Sequence, residues 1–429
     1  MKCMRDGAPP RRTTRLGGFA SIWFGVGNAM IIRICLSSLA LALSVIFAGP
    51  ARADNTQGIS DTAIKIGNLG PFTGQASAFN PLNFGPEAYL RYINDKGGIH
   101  GRKFETVFAD DSCNEAKGIA AAKKLIYEDK VFMIMGQPCS GVAMAVKPTL
   151  EKEGIPWMGA SANPKLTRPT VPGMFHVTYT GVESGSNMAR FALTVPGNKK
   201  IAIVAHSNDW AHGYCNPATD YIKANGGEVV INAAMENGST DATAQVLLIK
   251  SSGAQAVLGC LYQPELVVLI RDMKKYGVNA PVIGALGADF DQVIQQVRDI
   301  SAVKQRFFQP YQFNEKIGEG SLKEFHDIFV KYLTKDELPK VGPPTNFYYF
   351  GVPVAIATVE AFRRAGPNPT REKWIAAMET LDKFDTRVIA DTVTITRDNH
   401  VGVSAMNAIG VDDKGEPTLY KAFGVPMTK

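Results

Sequence analysis

The sequence predicts an α/β fold of two Rossmann-like lobes, each built on a parallel sheet. Three observations carry this. Short apolar runs alternate with amphipathic helical stretches, and the alternation restarts after a Pro- and Thr-rich loop at Asn163 to Gly173. The 429-residue chain also remains long enough for two sizeable cores without its first 53 residues.

In the first series, Ala63 to Asn68 reads as a strand, Pro86 to Asp95 as a helix and Phe104 to Ala109 as a strand. Gly97-Gly98 stops that helix and permits the positive φ that turns the chain into the next strand. Ala116 to Glu128 is a helix because Ile119, Ala122, Leu125 and Ile126 share one face. Strand Val131 to Met135, helix Val142 to Lys152 and strand Ile155 to Met158 complete the series. The second opens with strand Ile201 to Ala205, a helix from about Tyr214 to Ala224 and strand Glu228 to Asn232. A helix spaced Ala242, Val246, Ile249 leads to strand Ala256 to Gly259. A helix spaced Leu266, Leu269, Ile270, Met273 then leads to strand Val282 to Gly284. Such alternation implies parallel sheets covered on both faces.

The leading segment sets the compartment. Ile34 to Ala48 is an uncharged run of 15 residues, preceded by Arg33 and followed by Ala51-Arg52-Ala53, the layout of a cleaved secretory signal at 1–53. A membrane-spanning helix needs roughly 20 apolar residues, so the run is short for an anchor. Met30 offers a second possible start. The segment holds seven basic side chains against one acidic, so its removal takes the net charge from +6 to zero. A neutral chain lacks the basic excess that a nucleic-acid or anionic-membrane partner needs. Export also bears on Cys113, Cys139, Cys215 and Cys260: four cysteines in an oxidising compartment suggest two disulfides, with three connectivities open. With no C-x-x-C and scattered histidines, neither a metal nor another cofactor is expected.

Ligands of open parallel sheets bind beyond the carboxyl ends of the strands. Those ends read Gly136-Gln137-Pro138-Cys139-Ser140-Gly141, Gly159-Ala160-Ser161-Ala162-Asn163-Pro164, His206-Ser207-Asn208-Asp209-Trp210 and Cys260-Leu261-Tyr262-Gln263-Pro264. Hydroxyls, amides and aromatic rings dominate, a lining suited to orienting a small molecule. Catalysis fits less well. Ser161 misses the last glycine of a G-x-S-x-G elbow, and no acid and histidine pair with it. His176, His206 and His212 are expected to be structural or solvated, and Asp110-Asp111 to cap a helix or face solvent.

Ile64-Lys65-Ile66-Gly67, Gly70-Pro71-Phe72-Thr73-Gly74 and Ile93-Asn94-Asp95-Lys96-Gly97-Gly98-Ile99-His100-Gly101-Arg102 come in order. Asp110-Asp111-Ser112-Cys113, Pro138-Cys139-Ser140-Gly141 and Gly154-Ile155-Pro156 follow. In this order the chain resembles, over roughly Asp61 to Val411, the periplasmic solute-binding proteins of branched-chain amino acid ABC transporters, the leucine/isoleucine/valine-binding type. The resemblance implies a type I clamshell of two α/β lobes joined by three crossovers, closing on a ligand and docking on permease subunits. The expected divisions are an N-terminal lobe from 54–179 and 309–391, and a C-terminal lobe from 180–308 and 392–429.

The resemblance also implies a Cys113–Cys139 disulfide; Cys215 and Cys260 lie outside the family pattern and are expected to form the second. It places Ser140 and Ala160-Ser161-Ala162 against a ligand carboxylate, with Trp210 and Tyr262 closing from the other lobe and Phe79 walling the near side. Two departures bear on the ligand. Ala162 stands where the family often has threonine, and Leu286 where amino-acid binders place an acid for the ammonium, unless Asp289 reaches the pocket. The expectation is a periplasmic, monomeric, non-enzymatic binding subunit for a small organic carboxylate, aromatic or aliphatic, or a branched-chain amino acid. The alternatives are a secreted hydrolase using Ser161 and a ligand sensor for a membrane receptor.

Overall fold

The computed structural model describes residues 55–194, 199–339 and 344–424, so the expected signal at 1–53 lies outside the described residues. The first sheet comprises β1 (Ala63–Gly70), β2 (Lys103–Asp110), β3 (Met133–Gly136), β4 (Trp157–Gly159) and β5 (Met174–Phe175). Its order is β2-β1-β3-β4-β5 and every pairing is parallel. Helices α1 (Pro81–Asp95), α2 (Glu115–Tyr127) and α3 (Ser140–Glu153) cross between successive strands. Then α4 (Gly181–Thr194) leads into the second sheet.

That sheet has β6 (Lys200–Ala205), β7 (Glu228–Ala234), β8 (Ala256–Cys260), β9 (Val282–Gly284), β10 (Phe307–Tyr311), β11 (Ala405–Val411) and β12 (Pro417–Gly424). The order is β12-β11-β10-β9-β8-β6-β7. The connecting helices are α5 (Asp209–Ala224), α6 (Thr243–Ser252), α7 (Gln263–Lys275), α8 (Phe290–Val297) and the short α9 (Ile300–Val303). Every residue of β8 is buried, as a strand covered on both faces must be. The sheet is not wholly parallel: β11 runs antiparallel to β10, and β12 to β11. A tight turn at Asp412–Gly415, where Gly415 has φ 91°, suffices for that hairpin, whereas a parallel pair needs a crossover.

Beyond Tyr311, past the expected division at 309, the chain builds α10 (Gly320–Tyr332), α11 (Asn346–Ala365) and α12 (Arg371–Met378). The segments passing between the sheets pair with one another. His176 bonds with His400 and Gly402, and Gln312 and Asn314 with Ala390 and Val388. Helix starts differ from the periodicity because side-chain chemistry fixes them. α1 begins at Pro81, whose fixed φ suits a first turn, and carries Pro86 inside. α5 begins at Asp209 because Asn208 accepts the Ala211 N–H at 2.9 Å.

α1 and α11 pack backbone to backbone. A Cβ on Gly85 would lie 1.8 Å from the Tyr348 carbonyl oxygen, and one on Gly351 would lie 2.4 Å from that of Leu82. Gly85→Ala gains about 1 kcal/mol of helix propensity. It forces apart two backbones that cannot yield as a side chain would, at about 3 kcal/mol. The clash wins, so urea unfolding should show a net loss of about 2 kcal/mol; unchanged or raised stability would contradict this packing.

Candidate ligand-binding cleft

The carboxyl ends of both sheets carry the candidate residues. Ser140 opens α3 directly after the β3 loop, and Ser161 follows β4. Their hydroxyl oxygens lie 2.9 Å apart, both side chains are buried, and Ser161 Oγ accepts the Asn163 N–H at 3.2 Å. The α3 N-cap, Cys139, makes no side-chain cap bond, so the positive end of this 14-residue helix is open beside the serine pair. Glu115 approaches Gly141 there. Ala160 does not offer the expected donor. Its N–H is spent on the Gly136 carbonyl at 3.1 Å, because the β3–β4 ladder runs one bond further. Among the described residues, the N–H groups of Ser161 and Ala162 have no partner. The Ala162 carbonyl accepts from Gly181 N–H at 2.7 Å, tying this segment to α4.

Cys113 is bonded to Cys139, and Cys215 to Cys260. The first bridge holds the segment after β2 against the start of α3. The expected helix-capping or surface role holds for Asp110, which is exposed, and is corrected for Asp111, since Asn114 caps α2 by accepting the Lys117 N–H. Asp111 is fully buried and accepts from Cys113 N–H and Gln137 Nε2; burial pushes its carboxyl up to about 6 against those hydrogen bonds. Burial also raises Asp110, but bonds from Thr73 and Ser112 outweigh it and hold that carboxyl at about 2. Both acids thus brace the loops behind Ser140.

The other sheet supplies an aromatic wall. Trp210, in the first turn of α5, and Tyr262, before α7, have ring centroids 4.7 Å apart, and both share an apolar cluster with Ala162 and Leu286. Burial raises the Tyr262 hydroxyl, which Asn208 Nδ2 meets at 3.2 Å. Gly287 makes room for the indole: a Cβ there would lie 2.4 Å from Trp210 Cζ2. Phe79, ending a 3₁₀ turn after β1, meets Tyr262 edge-on across the cleft at 5.9 Å. It also meets Phe347 at 5.6 Å. Sequence reasoning missed Phe347, and its position in the first turn of α11 was the available signal.

Asp289 is held by two backbone donors. One oxygen accepts from Gln292 N–H, capping α8, and the other from Asn346 N–H at the start of α11, each at 3.0 Å. Burial raises this carboxyl, and both its oxygens are engaged by helix starts on opposite sides of the cleft. Leu286 is half-buried and apolar. A nucleophilic Ser161 finds no base in His176: that ring's Nε2 meets the Ser161 backbone carbonyl, and burial lowers its pKa to about 4. His206 is buried and His212 exposed. Among the described residues, no group of histidine, cysteine and acidic side chains could hold a metal ion. No helix of the described residues is long and apolar enough to cross a membrane.

Known proteins share this architecture. The family model for periplasmic binding proteins matches residues 63–416. Leu/Ile/Val-binding protein homolog 3 of Brucella melitensis is 30% identical over 254 residues, covering 59% of this chain and 66% of that protein. The chain therefore spans just under two thirds of this relative. A branched-chain amino acid ABC transporter structure from Thermus thermophilus with bound valine superposes with a TM-score of 0.73 at 20% identity, covering 84% of this chain and 96% of that one. A solute-binding protein of an R. palustris ABC transporter, in complex with 4-hydroxybenzoate, gives 0.70 at 21%, again covering 84% and 96%. With two α/β sheets, paired crossovers and a family match over most of its length, the chain belongs to the periplasmic binding protein family and has the type I fold.

Proposed function

We propose that this chain is the periplasmic, monomeric solute-binding subunit of an ABC importer. It captures a small organic carboxylate between its lobes without turnover and delivers it to permease subunits. The observations that carry this reading are the hydroxyl pair Ser140–Ser161 at the start of α3 and the Trp210–Tyr262 wall, which shares an apolar cluster with neighbouring Ala162. Neutral hydroxyls and helix-start N–H groups stabilise an anion without a lysine, and flat rings suit an apolar or aromatic body. The R. palustris neighbour held with 4-hydroxybenzoate is a precedent for this fold taking an acid that has no ammonium. The Brucella and Thermus proteins keep branched-chain amino acids in contention.

Mass spectrometry of small molecules copurifying with the periplasmic protein tests the ligand class directly. For an acid found this way, Ser140→Ala should weaken binding in calorimetry by roughly 1 to 3 kcal/mol, the value of a hydrogen bond to a charged group. An unchanged affinity would remove Ser140 from the site.

A further inference from the structure

His206 follows β6 and is buried, and its two ring nitrogens face opposite kinds of partner. Nδ1 lies 2.7 Å from the Met235 carbonyl, which can only accept, so Nδ1 carries a hydrogen. Nε2 lies 3.1 Å from the Tyr262 N–H, which can only donate, so Nε2 is bare. These partners select the neutral ring in one tautomer. A third group stands by. Glu265, on α7, is buried, and its Oε1 accepts the Gly238 N–H at 2.7 Å. Its Oε2 makes no hydrogen bond among the described residues and lies 3.5 Å from His206 Nε2. A bare Nε2 faces this carboxylate as acceptor to acceptor; a protonated Nε2 would have a ready partner there and could no longer accept from Tyr262.

Tyr262 is one of the places where the two lobes touch. Its ring packs on His206 and on Trp210, each at 4.7 Å, and meets Phe79 from the opposite side of the cleft. We propose that His206 is a positioning residue that couples closure of the cleft to its own protonation. The neutral ring anchors the Tyr262 backbone, and the protonated ring turns its Nε2–H to Glu265 and releases that anchor. The titratable groups facing His206 are Glu265 and Tyr262, and from the end of β7 it meets the Met235 carbonyl. A protonated ring gives up its bond to the Tyr262 N–H, so capture weakens once the medium is acid enough to charge it. The link to capture rests on reading this cleft as the ligand site.

Amide hydrogen exchange in the ligand-free protein reads the switch without any ligand. In wild type, protection of the Tyr262 N–H relative to the Leu266 N–H should fall about three- to tenfold from about pH 8 to about pH 5.5, the range expected for one lost hydrogen bond. His206→Gln keeps an acceptor that does not ionise and should flatten the profile. Glu265→Gln removes the waiting carboxylate and should move the wild-type midpoint to lower pH. A flat wild-type ratio, or a His206→Gln profile matching wild type, overturns the proposal. Affinity for 4-methylpentanoate, measured in parallel, should fall by a similar factor in wild type alone. If exchange switches but this probe does not bind, the switch stands and the carboxylate reading fails; if the probe binds equally at both pH values, coupling to capture is refuted.

Discussion

Replacing Cys215 and Cys260 together by Ala should lower the free energy of unfolding by about 4 kcal/mol, more than the roughly 3.5 kcal/mol expected for the Cys113–Cys139 pair. The order follows from the loops the bridges close, with sequence separations of 45 and 26. A longer closed loop removes more freedom from the unfolded chain. The second bridge also carries a local consequence. Cys215 lies in α5 one turn beyond Trp210, and Cys260 ends β8 just before Tyr262, so the bond ties together the two elements that present the aromatic wall. Cys215 and Cys260 are both buried, and Ala at each adds no polar group to the core. Urea unfolding of wild type and the two double variants measures the effect. Peptide mapping without reductant should find the two crosslinks and no free thiol among these four cysteines. Equal stability of all three proteins would mean that the unfolded chain is not restrained by these bonds.

The parallel strands were legible because a strand buried on both faces must be apolar over its whole short length, as Ile201 to Ala205 and Ala256 to Gly259 are. Their carboxyl ends pointed to the cleft by topology alone. Helix starts were less legible, since Pro81 and Asn208 act through backbone geometry and capping rather than apolar spacing. What stayed hidden depended on long-range contacts. Asp289 pairs with Asn346, the Ala160 N–H goes to Gly136, and Asp111 is buried under Gln137 and the Cys113 loop. Residues adjacent in sequence can therefore have opposite fates, as Asp110 and Asp111 do: the shared position at a strand end says nothing about which side the next helix will cover.

4-Methylpentanoate, which is leucine without its α-ammonium, should bind about a hundredfold more tightly than leucine. An ammonium taken out of water without a countercharge costs about 3 kcal/mol or more, and each 1.4 kcal/mol is about tenfold in Kd. Two nearby buried acids are placed for other partners: Asp289 accepts from two helix-start N–H groups, and Glu265 accepts the Gly238 N–H and lies beside His206. Leu286, next to the glycine on which Trp210 rests, is apolar, and on the proposed alignment it stands where amino-acid binders place an acid. Leu286→Glu should therefore reverse the preference. The new carboxylate repels an anionic ligand through a medium of low dielectric, and it gives an ammonium the partner that wild type lacks. Calorimetric titration of both ligands into both proteins separates the contributions. If wild type holds leucine more tightly than its deaminated analogue, backbone carbonyls at the strand ends must be meeting the ammonium, and the cleft is an amino-acid site despite Leu286. If the preference reverses only in the Glu variant, the charge at this one position decides which class of acid the lobes close upon.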